Sequence, residues 1–391
     1  MKAVDIPYWR LSSFYFFYFA FLGAWVPFWN LYLEQGLGYS AKAIGAVSAL
    51  VLATKIIGPS IWGWLADHFG HRMAIIRWGS LLAALVFSGV FFRTDLFALL
   101  LVVGGYSFFW NAVLAQFEVV TLSHLREQAV HYTRIRLWGS VGFIIAVFGL
   151  GWLFDVVSIS YLPYYLLAML TGIWLCSLIV NEVKDEAIDV VERSSGSSFQ
   201  SFIRQLRQPQ VLVFFLLCFL AQFSHGPYYT FYTIYLEQLG YQRLAIGGLW
   251  SLGVAAEVVL FIFMPGLLHR FSLQQLMLAT LLLTGLRWLM IAWWADVAVV
   301  LVFAQLFHAA SFGSFHAVAI EAVRRFFPAG SRGQGQAFYS AISFGAGGAL
   351  GALLSGWCWQ WGAQLLFVAA GVSVLAGLLV ALWVGRRYPP L

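Results

Sequence analysis

Residues 31–47 read LYLEQGLGYSAKAIGAV, and residues 234–250 read IYLEQLGYQRLAIGGLW. Tyr32-Leu33-Glu34-Gln35, a Leu-Gly-Tyr triplet and Ile44-Gly45 recur as Tyr235-Leu236-Glu237-Gln238, a second Leu-Gly-Tyr and Ile246-Gly247. The displacement is slightly more than half the chain, with one indel. Each copy follows a long apolar run and precedes another. A chain of this kind is two copies of one unit in the same orientation.

The surroundings of the repeat say which kind of unit. The chain is 62% hydrophobic and 10% charged, against about 45–50% and about 25% in soluble domains. Twelve apolar runs come near the roughly 20 residues that cross a bilayer. They lie at about 11–33, 41–65, 73–92, 96–118, 137–155, 160–181, 210–236, 245–265, 273–293, 297–320, 336–358 and 363–385. None alternates with a period of two, so they read as helices, one of the two structures that can span hydrocarbon. The expected fold is an all-α membrane protein of twelve helices in two parallel six-helix repeats. Residues 1–181 form one half, 182–209 a cytoplasmic linker and 210–391 the other half. Parallel repeats of membrane helices build transporters whose substrate site lies between the halves.

Lysine and arginine set the expected orientation. With the N-terminus inside, seventeen of the 22 basic residues fall on cytoplasmic segments and helix ends, among them Lys2, Arg10, Arg72, Arg77, Arg126, Lys184, Arg193, Arg386 and Arg387. Lys42, Arg93 and Arg243 fall outside, and Lys55 and Arg287 fall within spans. That skew places both termini in the cytoplasm of an inner-membrane protein. It also accounts for the net charge of +6 through the anionic leaflet rather than nucleic acid. The first apolar run is too long for a signal peptide and reads as a span. The linker begins acidic (Glu182, Asp185, Glu186, Asp189, Glu192), passes through serines at 194–198 and ends basic, a composition for a flexible connection. Cys176, Cys218 and Cys358 lie in spans with neither metal nor disulfide spacing, so they read as small packing residues. No metal or cofactor is expected. There is no HExxH, no phosphate loop and no nucleophile–base pair in the spans, which argues against an enzyme or a primary pump.

The loop after the second span reads Gly63-Trp64-Leu65-Ala66-Asp67-His68-Phe69-Gly70-His71-Arg72. Gly63 and Gly70 permit a tight turn between antiparallel helices, and Asp67 can cap a helix or pair with a base. This order resembles the signature between helices two and three of the major facilitator superfamily, with His68 and His71 in place of the usual bases. Gly266-Leu267-Leu268-His269-Arg270 is a worn copy without the acid. Three stretches are similar to the phenylpropionate permease family: Pro27-Phe28-Trp29 with the following repeat, Arg134-Ile135-Arg136-Leu137-Trp138-Gly139-Ser140, and Leu249-Trp250-Ser251-Leu252-Gly253 through Glu257. That resemblance implies proton symport of an aromatic carboxylate such as 3-phenylpropionate. More distantly the chain resembles the lactose permease and its proton-coupled sugar relatives. Their charged positions on helices four, five, eight, nine and ten match Glu118, Arg136, Glu257, Arg287 and His308. Ser311 stands where their proton-carrying glutamate would be, so that proton route does not transfer intact.

The same residues carry physical weight by themselves. A charge at the bilayer centre costs roughly 2.5–3.5 kcal/mol on insertion scales, so it should be paired or face water. Glu257 and Arg287 sit about twelve and fourteen residues into adjacent antiparallel spans, deep enough to meet there. They read either as a static ion pair or as a pair that opens when Glu257 takes a proton, with His308 a relay or a packing residue. Lys55 has no acid one turn away. Lys55, Arg136 and Arg287 against Glu118 and Glu257 leave one excess positive charge, which suits a carboxylate substrate; pairing of Lys55 with Asp67, or its reaching water, is the alternative. On the seventh span Gln222, His225, Tyr228, Tyr229 and Tyr232 share a polar-aromatic face. Tyr18, Trp25, Trp29 and Tyr32 do so on the first, with Trp29 and Tyr32 expected at the membrane interface. The glycines of the fifth span (Gly139, Gly142, Gly149, Gly151) and the eleventh (Gly345, Gly347, Gly348, Gly351) read as close-packing sites. The fifth span lacks the Gly-Pro pair of drug–proton antiporters, which favours uptake. The expected partners are a small-molecule substrate, protons and the bilayer, in a monomer without nucleic acid. A sugar or nucleoside substrate, efflux, or a ligand sensor that does not transport are the alternatives.

Overall fold

The computed structural model describes residues 6–125, 130–182 and 198–385, and no strand occurs among them. Twelve helices are long and apolar enough to cross a membrane: Tyr8–Gly36, Ala41–Ala66, Arg72–Phe91, Leu96–Leu125, His131–Val156, Ile159–Leu178, Pro209–Gln238, Arg243–Arg270, Leu273–Trp294, Ala298–Phe326, Ala329–Trp361 and Ala363–Gly385. They agree in number and order with the apolar runs. The largest difference is at the eleventh span, which begins at Ala329 because the polar stretch Arg332–Ser340 is helical too. Most of the expected linker, residues 183–197 with most of its acids and serines, lies outside the described residues, as do Lys2, Arg126, Arg386 and Arg387.

The helices gather into two compact units. One draws on residues 1–39 and 57–190, the other on 40–56 and 191–391. The second span is thus divided, its first part up to Ile56 packing with the C-terminal spans.

Within the first unit, the first span lies against the fifth and sixth. Small residues let the two backbones touch. A Cβ at Gly142 would come within 2.2 Å of the Phe16 carbonyl oxygen, and one at Gly23 within 2.5 Å of the Phe143 oxygen. The second unit repeats the arrangement with the seventh and eleventh spans. There a Cβ at Gly226 would lie 2.3 Å from the Gly351 carbonyl carbon, and one at Gly351 2.3 Å from the Phe223 oxygen. Lipid offers helices no hydrophobic drive to associate, so close backbone approach of this kind is what holds them. Gly149, expected to share this role, has nothing within 4 Å of its would-be Cβ.

The sequence repeat becomes a structural one at its Leu-Gly-Tyr turns. Gly38 and Gly240 take the left-handed φ values of 70° and 87°, which cost a residue with a Cβ but not glycine. Each is followed by a tyrosine beside an acid. Burial and the nearby Asp95 raise the Tyr39 hydroxyl above its ordinary pKa, and burial and Asp296 do the same for Tyr241. Gly70 is left-handed as well, at 66°, which fits the tight turn read between the second and third spans. Two expectations fail nearby. Trp29 and Tyr32 are 1% and 5% exposed, packed within the first unit rather than facing lipid headgroups. Trp29 stacks on Trp25 at 4.2 Å, so shape complementarity inside the bundle outweighs the interfacial preference of these rings.

Gly142 and Gly149 therefore make a matched test within one helix. Overpacking a close contact costs about 1–3 kcal/mol. Gly142→Ala is expected to lower the thermal unfolding midpoint of the purified protein clearly, and Gly149→Ala to leave it unchanged or slightly higher.

Candidate functional site

The second unit contains a polar core in the middle of apolar helices. At its centre is Arg287 of the ninth span, which is 0% exposed. A guanidinium carries five N–H donors and cannot lose its charge, so its surroundings must satisfy it. Three neutral acceptors do so: the Ala304 carbonyl takes a bond from Nε at 3.0 Å, the Ser311 hydroxyl from Nη1 at 2.9 Å and the Gln305 amide oxygen from Nη2 at 3.3 Å. The ring of Tyr228 lies 4.2 Å from the guanidinium carbon, a favourable cation–π distance.

Gln305 of the tenth span ties this core together. Its Oε1 also accepts from the Tyr228 hydroxyl at 3.0 Å, and its Nε2 donates to the Tyr232 hydroxyl at 2.6 Å. The amide is thereby oriented, and the seventh, ninth and tenth spans share one network. Directly after His308 the tenth span widens into a π turn, Ala309–Ser314. Such turns interrupt the regular ladder and recur at functional sites. Here the widened turn contains Ser311, which reaches the guanidinium. It also contains Gly313, where a Cβ would sit 2.9 Å from Glu257 Cγ; its absence makes room for the acid.

The expected contact between Glu257 and Arg287 is replaced by a different one. Among the described residues no carboxylate lies within ion-pair distance of Arg287, whereas Glu257 Oε2 lies 3.9 Å from His308 Nε2. The physical reason is rotation about the helix axis. Arg287 faces the tenth span, where carbonyl, amide and hydroxyl oxygens already engage all three of its nitrogens. His308 Nδ1 is buried without a hydrogen-bond partner in the described structure.

The polar-aromatic stripe of the seventh span faces this core. Tyr228 packs on Trp250 at 4.4 Å and on Tyr232 at 4.8 Å, and Tyr229 is half-buried beside it. His225, 0% exposed, sits where the span is interrupted between helical segments Pro209–Ser224 and Gly226–Gln238. Its Nδ1 is 2.7 Å from the Ala221 carbonyl, which accepts and so places the proton there. Among the described residues its Nε2 has no partner, and neither does Nε2 of Gln222. Lys55, in the first part of the second span and half-buried, makes no hydrogen bond or ion pair among the described residues.

The first unit holds a second polar cluster. Glu118 accepts a hydrogen bond from the Tyr132 hydroxyl at 3.3 Å. Arg136 lies over Phe19, 3.8 Å from the ring centroid, without an ion pair among the described residues. Tyr15 donates to Thr121 at 3.1 Å, and Tyr18 stacks on Trp110 at 4.6 Å. Trp25 is half-buried between Trp29 and Tyr106. In the loop motif, Arg72 donates to Gln116 at 2.6 Å. Gly70 makes the turn, whereas Gly63, expected to share in it, lies inside the helix Ala41–Phe69 about two turns before its end; the side chain of Asp67 lies outside the described residues. Glu321 is held by Arg324 and Arg325 at 2.6 and 3.0 Å, the local ion pair its neighbours imply. No cluster of metal-ligating side chains occurs among the described residues.

Gln305 is the residue that sequence reading missed. Its signal was available: an isolated amide in the run AVVLVFAQLFH, one turn before His308.

Comparison with known proteins gives a consistent result. The model of the MFS_1 like family matches residues 8–369. The probable 3-phenylpropionic acid transporter of Escherichia coli (strain K12) is 28% identical over 93% of this chain and 95% of its own length. The maltose permease of Geobacillus stearothermophilus is 28% identical over 96% of this chain and 93% of its own. Among solved structures, the nucleoside transporter NupG superposes with a TM-score of 0.83 at 17% identity, covering 96% of this chain and 98% of NupG. The POT family transporter PepTSo gives 0.75 at 13% identity over 99% of both chains. At these identities the structures establish the fold.

The network makes a quantitative demand on Gln305. Gln305→Leu leaves two tyrosine hydroxyls and one guanidinium donor without their partner, and each unsatisfied buried group costs about 1–3 kcal/mol. The variant is expected to lose roughly 3 kcal/mol or more of stability in denaturant unfolding, well beyond Gln222→Leu, which removes an amide nitrogen that has no partner.

Proposed function

The chain belongs to the MFS_1 like family of membrane transporters, and from that premise we propose that it is a proton-coupled symporter taking up a small aromatic carboxylate. It is a multi-pass membrane protein and a secondary transporter of the major facilitator type, not an enzyme. We infer an inner-membrane protein with both termini in the cytoplasm, on the skew of its basic residues, and take it to act as a monomer.

The observation that carries the substrate class is Lys55. An ammonium within a span with no ion-pair partner among the described residues favours a ligand that brings its own negative charge. On the first unit Arg136 is in the same condition, its guanidinium resting on an aromatic face with its fork unpaired. The tyrosines and tryptophans of the first and seventh spans are suited to an aromatic body. The relative named for 3-phenylpropionic acid supports the same substrate class.

The coupling group in this reading is Glu257. Arg287 is a fixed charge whose donors are engaged by neutral acceptors, while Glu257 stands beside His308, which can pass or hold a proton. A carboxylate protonated in one state and ionised in another links proton flow to substrate flow. Glu257→Gln is expected to abolish uphill accumulation while retaining counterflow exchange, which needs no net protonation change. Accumulation at the wild-type level in this variant would remove Glu257 from the mechanism.

A neutral sugar or nucleoside is the second reading. It is favoured by the relatives named for maltose and nucleosides and by the unpartnered amide nitrogen of Gln222. Equilibrium binding of an aryl carboxylate and of its amide separates the two. A charge-assisted bond is worth about 1.5–3 kcal/mol, so Lys55→Met is expected to weaken acid binding roughly 10- to 150-fold and amide binding little. Equal affinity of the wild type for acid and amide would give the neutral substrate the lead.

A further inference from the structure

Just before the seventh span lies a short helix, Ser198–Leu206, that takes no part in the polar core. Its apolar residues Phe199, Phe202, Ile203 and Leu206 fall at i, i+3, i+4 and i+7, one continuous stripe. The protein covers only part of that stripe. Phe202 is 8% exposed and stacks on Phe327 at 5.5 Å, with Phe338 at 5.9 Å. Phe199 is 64% exposed and Ile203 is half-buried.

Beside the uncovered part stand Arg207 and Arg204, both exposed. Among the described residues the side chain of neither makes a hydrogen bond or an ion pair, in contrast to Arg324 and Arg325, which both pair with Glu321. Position follows from connectivity. Arg207 and Gln208 alone separate the helix from Pro209, where a span of 30 residues begins. The three steps from Leu206 to Pro209 reach at most about 11 Å, and Phe202 anchors the helix laterally, so it is held close to the level where the chain meets hydrocarbon.

An exposed phenylalanine next to unpaired arginines at that level has the chemistry of an interfacial helix. The ring inserts among acyl chains while the guanidinium groups meet phosphate. We propose that the Ser198–Leu206 helix is an anionic-phospholipid-binding element, with Phe199 and Ile203 in the acyl boundary and Arg204 and Arg207 on lipid phosphates. Lipid charge then sets how firmly this helix, and with it the start of the seventh span, is held. The proposal is independent of the substrate and of proton coupling.

Hydrogen–deuterium exchange of the intact protein in nanodiscs tests it. Amides of residues 199–207 are followed in phosphatidylethanolamine discs with and without phosphatidylglycerol. Phosphatidylglycerol is expected to slow their exchange by roughly fivefold for each arginine engaged. Arg204→Gln with Arg207→Gln is expected to remove the lipid dependence, and the double lysine variant to keep it. Phe199→Ser is expected to speed exchange in both discs. Equal wild-type rates in the two discs would overturn the proposal. So would lipid dependence that persists in the double glutamine variant, which would place the phospholipid elsewhere, or an unchanged rate in Phe199→Ser.

Discussion

A permanent positive charge buried among apolar helices is the constraint on which the second unit depends. Arg287 cannot neutralise itself, so its donors must be met inside the protein. The solution draws on the tenth span three times, through the Ala304 carbonyl, the Gln305 amide and the Ser311 hydroxyl. Gln305 then extends the requirement to the seventh span through Tyr228 and Tyr232. Packing of these three helices is therefore polar at its centre and apolar at its periphery, the reverse of a soluble bundle. Removing one member exposes the others to an environment with no water to replace it.

The close backbone contacts impose a second, simpler rule. In each unit an early span meets a late one through glycine, the first against the fifth and the seventh against the eleventh. The duplicated sequence segment lies beside this architecture, and its Gly38 and Gly240 repeat the same left-handed turn. The two units thus share their turns and their tightest contacts while differing in their polar cores. Arg287 has no carboxylate within ion-pair distance among the described residues, whereas Glu118 and Arg136 in the first unit sit among Tyr132, Phe19 and Tyr15.

Spans, repeat and helical class were legible in the sequence because hydrocarbon thickness and backbone hydrogen bonding leave few solutions. Charged residues within spans were legible for the same reason: each is costly enough to stand out. Their partners were not. Whether Glu257 meets Arg287 or His308 depends on the rotation of three helices and on the π turn at 309–314, neither of which leaves a periodic signature. Trp29 and Tyr32 illustrate the same limit, since ring composition identifies an aromatic side chain but not whether it faces lipid or a neighbouring helix. Gln305 was passed over because a single amide in an apolar run carries no charge to draw notice, though its two-sided hydrogen bonding makes it the connecting residue.

The division of labour between Arg287 and Glu257 bears on how a proton can be used. Had the two formed a direct pair, protonating Glu257 would have left the arginine without its partner, and the cost of that vacancy would oppose proton uptake. With Arg287 satisfied by neutral oxygens, its hydrogen bonds survive either state of Glu257. The structural penalty for changing protonation then falls on Glu257, His308 and their immediate surroundings. His308 lies 3.9 Å from the acid with its other ring nitrogen unpartnered, so a change at one nitrogen can be answered at the other by tautomer exchange. In the proposed mechanism this separation lets the charge that holds the core remain constant while the charge that couples transport varies.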